Sequence, residues 1–144
     1  AENVRFRVEL LQDWLATESQ RLSALVTAHA AQGTSPVLFG HCTERTAAPL
    51  SQKTWSRVFD AVGLKLETPA VGCCGMCGVF GHEAAHVEES KGVYAMSWQP
   101  KILAAQQRTC LATGHSCRSQ VHRTDHLHLR HPVQLLLERV SLAQ

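Results

Sequence analysis

Glycine recurs every third residue at Gly72, Gly75, Gly78 and Gly81, and three cysteines, Cys73, Cys74 and Cys77, lie within that stretch. Glycine gives up more conformational freedom on folding than any other residue, so this spacing disfavours both a helix and a regular strand. It suits an irregular loop whose backbone can approach another group closely. Adjacent thiols point to opposite faces of a strand, but in such a loop both can face one centre. The rest of the chain must supply regular structure on either side of this loop.

The flanking sequence supplies short apolar runs alternating with helical patterns. Val4, Phe6, Val8 and Leu10 alternate weakly, and about 8–31 reads better as one or two helices, with stripes Leu10, Leu11, Trp14, Leu15 and Leu22, Leu25, Val26. Gly33 and Pro36 stop it, and Val37-Leu38-Phe39 suits a buried strand. A helix from Pro49 or Ser51 carries Trp55, Val58, Phe59 and Val62 and ends at Gly63. Leu64-Lys65-Leu66, closed by Pro69, is a second strand candidate. After the glycine loop a helix is expected from about His82 and another over about 99–107. A third strand follows at 109–113 and ends at Gly114. Ser116 is positioned to cap a short helix through Arg123, and Pro132 suits the first turn of a last helix with Val133, Leu135, Leu136, Leu137 and Val140.

Strands alternating with helices define an α/β class: a small, mainly parallel sheet flanked by helices. The expected organisation is an N-terminal helical segment, 1–35, packed on one cysteine-rich domain, 36–144. Ligands in such sheets gather beyond the carboxyl ends of the strands. Cys42 follows the first strand, Cys73 and Cys74 lie in the loop after the second, and Cys117 follows the third. Three loops are thereby expected to bring four thiols to one sheet edge.

Composition narrows the chemistry. Six cysteines in 144 residues, about 4%, fall below the level of a small disulfide scaffold. No secretory signal is present, so metal or redox use is the better reading and a cytoplasmic location is expected. Fourteen basic against twelve acidic residues give no basic footprint for nucleic acid. No 18-residue apolar stretch offers a membrane span, which leaves peripheral association open. Ala1 in place of a starting methionine fits a piece excised from a longer chain.

Soft thiolates select iron–sulfur clusters and zinc, and four cysteines serve either. Two adjacent cysteines in an irregular loop can bind two irons of one cluster. Cys74-x-x-Cys77 also permits a thioredoxin-like redox pair, although the surrounding glycines make a poor helix start. Cys110, inside an apolar strand, reads as a small hydrophobe.

The run Val71-Gly72-Cys73-Cys74-Gly75-Met76, followed by Gly78-Val79-Phe80-Gly81, resembles the CCG motif of cysteine-rich domains in heterodisulfide reductase and glycolate oxidase iron–sulfur subunits. Gly40-His41-Cys42, Gly114-His115-Ser116-Cys117-Arg118-Ser119-Gln120 and Arg130-His131-Pro132-Val133-Gln134-Leu135-Leu136 extend the resemblance. Together, over about 36–140, they resemble the C-terminal part of FAD-linked dehydrogenases of the D-lactate and D-2-hydroxyglutarate kind. The resemblance implies a 4Fe–4S cluster on Cys42, Cys73, Cys74 and Cys117, with zinc as the alternative. Cys77, His41 and His115 are accessory candidates. It further implies FAD in absent domains, with flavin and ferredoxin-like domains of the parent polypeptide as partners. The cluster would relay electrons from flavin oxidation of a 2-hydroxy acid, and this chain alone would not be catalytic. One departure stands out. Many CCG domains close on Cys-x-x-Cys, whereas Gly114 occupies the first of those positions here.

A competing motif is His82-Glu83-Ala84-Ala85-His86, a literal H-E-x-x-H. On a helix its histidines would share a face and hold a hydrolytic zinc with Glu83 as base. Gly78 and Gly81 sit badly before such a helix, and no third ligand has a family spacing, so a solvated face is expected. His122, His126, His128 and His131 form a histidine-dense but irregular tract. Arg118 and Arg123 are expected on a solvated face. Trp14, Trp55 and Trp98 are expected in the core or at a domain contact.

Overall fold

The computed structural model describes residues 7–26 and 34–141. Strands β1 (Val37–Phe39) and β2 (Cys110–Ala112) pair in parallel, with Val37 opposite Cys110, Leu38 opposite Leu111 and Phe39 opposite Ala112. Single parallel bridges widen this sheet on both sides, Val37 to Glu67 and Leu111 to Arg130. Among the described residues the helices are α1 (Leu11–Thr17), α2 (Ser19–Ala24), α3 (Cys42–Ala47), α4 (Ser51–Ala61), α5 (Val87–Ala105), α6 (His115–Asp125) and α7 (Pro132–Ser141).

The two-residue period of the strands divides the core. Leu38 and Leu111 join Leu15, Trp55, Val58, Phe59, Leu135 and Leu136 on one face. Val37, Phe39 and Ala112 join Tyr94, Trp98, Ile102, Cys117 and Val121 on the other. Burial on both faces explains why β1 reads as an unbroken apolar run rather than an alternating one. Trp98 and Phe39 stack with ring centroids 5.3 Å apart, fixing α5 against β1.

α4 follows its apolar spacing, burying Trp55, Val58 and Phe59, and the chain leaves it through Gly63 at φ 73°. α5 departs from expectation. No α-helix begins at His82: two 3-10 turns, Phe80–His82 and Ala84–His86, precede a single 19-residue helix from Val87 to Ala105. The expected break before 99–107 is absent because Ser90, Tyr94, Trp98, Ile102 and Ala105 form one buried stripe. Pro100 lies on the exposed side, where its missing N–H removes one backbone hydrogen bond without disturbing that stripe.

Three other expectations change. Leu64-Lys65-Leu66 is not a strand, since pairing is limited to Glu67, which accepts from Leu38 N–H at 2.7 Å and donates to Pro36 O at 3.0 Å. Leu64 and Leu66 are buried as core side chains instead. Ser116 does not cap α6, which begins at His115 with Gly114 at the cap position and ends at Asp125. In the N-terminal segment only Leu15 of the first stripe is buried, while Leu10, Leu11 and Trp14 are about half exposed. Val4, Phe6 and residues 27–33 lie outside the described residues.

Gly75 and Gly78 both take left-handed conformations, at φ 87° and 67°. A Cβ at Gly75 would overlap the Ser90 carbonyl oxygen of α5, whereas one at Gly78 meets open space. Gly78→Ala should therefore cost about 1–2 kcal/mol for the backbone conformation alone. Gly75→Ala should cost at least about 3 kcal/mol, because the wall it strikes is helix backbone. Urea unfolding of the two variants measures the difference. Equal losses would show that contact with α5 does not fix the loop.

Candidate metal centre

The parallel strands send their carboxyl ends to one edge. After β1 the chain turns at Gly40 and His41 and enters α3 with Cys42 as its first residue. After β2 it turns at Thr113 and Gly114 and enters α6, which places Cys117 in the first turn. These two turns are tied together. The His41 backbone N–H donates to Thr113 Oγ1 at 3.2 Å, and Thr113 Oγ1 donates to the Glu44 carboxylate. Ser51 donates to the same carboxylate and accepts from buried Gln12 at 2.8 Å.

The glycine loop is clamped at both ends. At its start, the Arg45 guanidinium donates to Val71 O, Trp98 Nε1 donates to Gly72 O at 3.0 Å, and Gly72 N–H donates to Ser97 Oγ at 2.8 Å. At its end, Arg123 donates to Gly81 O, and Gly81 N–H closes on Met76 O at 3.0 Å. Gln120, fully buried, donates to Ser90 O at 3.1 Å and fixes α6 to α5 behind the loop. Arg118 likewise turns inward, donating to Ala112 O at 2.8 Å and Thr113 O at 3.2 Å. The expectation of a solvated face for Arg118 and Arg123 is thus corrected: both guanidinium groups satisfy backbone carbonyls left open at turns.

These constraints bring Cys42, Cys73, Cys74 and Cys117 into one series of neighbours. Cys73 interacts with Cys42 and Cys74, and Cys74 with Cys117. Cys74 and Cys117 are buried, and Cys42 and Cys73 partly exposed. The Cys74 thiol is lowered to about 7, chiefly by a hydrogen bond from Cys117, with help from the backbone N–H groups of Met76 and Cys74 against the opposing effect of burial. Cys117 is pushed far above the ordinary thiol range by that same bond, then by burial and by the charges of Cys74 and Cys42. Burial raises Cys73, the negative charges of Cys42 and Cys74 add to it, and the Gly75 N–H, 3.3 Å from its sulfur, opposes them. The first proton leaves easily, but further ionisation crowds like charges in a partly dry site. A bound cationic centre relieves that repulsion.

The donor set therefore suits a thiophilic group. Among the described residues, no three His, Cys, Asp or Glu side chains close around a single metal ion.

The remaining candidates separate. Cys77 is exposed at φ 38° in the loop. Cys110 is partly buried and donates to Ala105 O at 3.3 Å, spent inside the core edge. His115 lies on the outer side of the α6 N-terminus, exposed. His41 is nearer, because a Cβ at Gly114 would overlap its Cδ2 and come within 3.0 Å of Cys117 Sγ. Nothing in the sequence showed that the bare position at Gly114 is covered by the ring of His41.

The H-E-x-x-H segment is not on an α-helix. Glu83 is extended between the two 3-10 turns, so His82 and His86 are not one α-helical turn apart on a shared face. His86 stacks on Phe80 with centroids 4.3 Å apart and lies 3.6 Å from Glu83. His122 and His128 stack at 4.2 Å, and His131 packs edge-on to Trp55 at 5.9 Å.

Fold and site define a small α/β domain that gathers cysteines at the carboxyl edge of a parallel sheet. In sequence the chain is similar to part of several longer proteins. The chain is 46% identical over 142 residues to D-2-hydroxyglutarate dehydrogenase of Escherichia coli, covering 97% of this chain and 13% of the relative. It is 45% identical over 135 residues to D-2-hydroxyglutarate dehydrogenase of Pantoea ananatis, covering 94% of this chain and 13% of the relative. The protein of that name from Haemophilus influenzae is 52% identical over 101 residues, 70% of this chain and 10% of the relative. The chain thus spans about one-eighth of the length of the longest matches. No protein-family model and no solved structure matches it. Among the described residues, no helix is long and apolar enough to cross a membrane.

The coupled thiols make a spectroscopic prediction. In the reduced, metal-free protein, ultraviolet thiolate absorbance should rise near pH 7 as Cys74 ionises. Cys117→Ala removes the hydrogen bond that lowers it and should move this step upward, toward the ordinary thiol range. An unchanged step in that variant would show that Cys117 does not act on Cys74.

Proposed function

We propose that this chain is the iron–sulfur domain of a flavin-linked 2-hydroxy acid dehydrogenase, with Cys42, Cys73, Cys74 and Cys117 holding a 4Fe–4S cluster. The observation that carries this reading is the meeting of four thiols, delivered by the glycine loop and by the first turns of α3 and α6, at one end of a parallel sheet. Similarity to D-2-hydroxyglutarate dehydrogenases supports the oxidoreductase setting. In that setting the substrate is D-2-hydroxyglutarate or a close 2-hydroxy acid, oxidised at a FAD held elsewhere in the polypeptide.

A cluster bound here supplies one-electron chemistry that connects a two-electron flavin to an acceptor. The protein's own groups set the conditions. Backbone N–H groups of Gly75 and Met76 point at the sulfurs of Cys73 and Cys74 and stabilise negative charge there. Met76, Tyr94 and Trp98 wall the buried side and keep water from Cys74. Tyr94 donates to Asp125 at 2.5 Å and stays neutral, its ionisation suppressed first by burial and then by Asp125. Arg45 and Arg123 hold the two ends of the loop, so the thiols keep their places when the redox state changes.

The single-ion geometry that structural zinc requires is absent among the described residues, and no observation favours that reading over the cluster. Anaerobic reconstitution with iron and sulfide should give a brown protein with about four irons per chain. Alanine at Cys42, Cys73, Cys74 or Cys117 should abolish or halve the iron content, while Cys77→Ala and Cys110→Ala should retain it. A colourless product with intact thiols would overturn the assignment.

A further inference from the structure

A cavity of about 450 Å³ opens beside the thiol site, and its wall includes Gln12, His41, Trp55, Gly114, His115 and Ser116. Cys117 is fully buried and does not line it. Between the two lies the bare backbone of Gly114, with the His41 ring laid over it. The point where a Cβ would stand at Gly114 falls inside the ring's contact surface, 3.1 Å from Cγ, and only 3.0 Å from Cys117 Sγ. Residue 114 therefore brings no side chain of its own to separate the cavity from the sulfur, and a side chain there would displace the ring. The His41 backbone is held by Thr113 Oγ1 at 3.2 Å, which ties the turn that carries the ring to the turn that carries Gly114.

We propose that this cavity is an access route to the thiol site and that the His41 ring is the cover across it, controlling how readily small polar reagents and oxidants reach Cys117. His41 is thus a positioning residue that acts by exclusion. The role deepens the iron–sulfur reading, because solvent exposure sets both the potential and the oxidative lability of a cluster. Its first test needs no iron.

In the reduced, metal-free protein, alkylation by iodoacetamide is followed at each cysteine by mass spectrometry. His41→Ala should label Cys117 at least about tenfold faster than the native protein, while exposed Cys77 keeps its rate. His41→Phe restores a ring of similar size and should return Cys117 to near-native protection. A Cys117 rate in His41→Ala within twofold of native overturns the proposal, as does equal deprotection by His41→Phe. In protein that accepts iron and sulfide, His41→Ala should bleach faster in air. Failure to take up iron would defeat the cluster reading while leaving the labelling result to decide on the cover.

Discussion

The parallel register of β1 on β2 is the constraint from which the site follows. Pairing Val37 with Cys110 and Phe39 with Ala112 makes both strands end at the same level. The turns after them, at Gly40–His41 and Thr113–Gly114, then lie side by side and are joined through Thr113 and Glu44. Each turn opens directly into a helix, so Cys42 and Cys117 arrive in first turns rather than somewhere along a loop. A slip of one residue would reverse the side chains of a strand, exchanging Leu111 with its neighbours between the two core layers. Apolar packing on both faces therefore enforces the register that the sulfurs depend on.

The glycine loop answers to a different constraint. Its glycines offer no side chains to pack, and only Val71, Cys74 and Met76 anchor it in the core. Its position is imposed from outside by Arg45 of α3, Ser97 and Trp98 of α5, and Arg123 of α6. Flexible sequence is thereby held in a defined conformation by its neighbours. The cost falls on electrostatics: thiols crowded in a partly buried site cannot all ionise, and Cys74 and Cys117 share the burden unequally.

Much of this was legible in the sequence. Short apolar runs bounded by proline or glycine marked β1 and β2, and the spacing of Trp55, Val58 and Phe59 marked α4. The adjacent pair Cys73-Cys74 among glycines, with Cys42 and Cys117 each following a strand, marked the thiol group. The legible features were those in which local pattern and tertiary role agree. α5 was misread because Gly92 and Pro100 are local helix breakers, yet they sit on its exposed side while Tyr94, Trp98 and Ile102 hold the buried one. Arg118 and Arg123 were misread because their acceptors are backbone carbonyls of turns distant along the chain or hidden at strand ends, which leave no mark in side-chain pattern. The cover of His41 over Gly114 joins residues whose proximity exists only once the sheet is paired.

The most direct test is to let the sulfurs report on their own neighbours. Mild oxidation of the reduced, metal-free protein, followed by peptide mapping, traps cysteines that meet in solution. The account predicts disulfides within the group Cys42, Cys73, Cys74 and Cys117, chiefly Cys42 to Cys73 and Cys74 to Cys117, with Cys77 and Cys110 left outside it. Recovery of Cys42 and Cys117 as free thiols, with bridges running instead through Cys77 or Cys110, would contradict it.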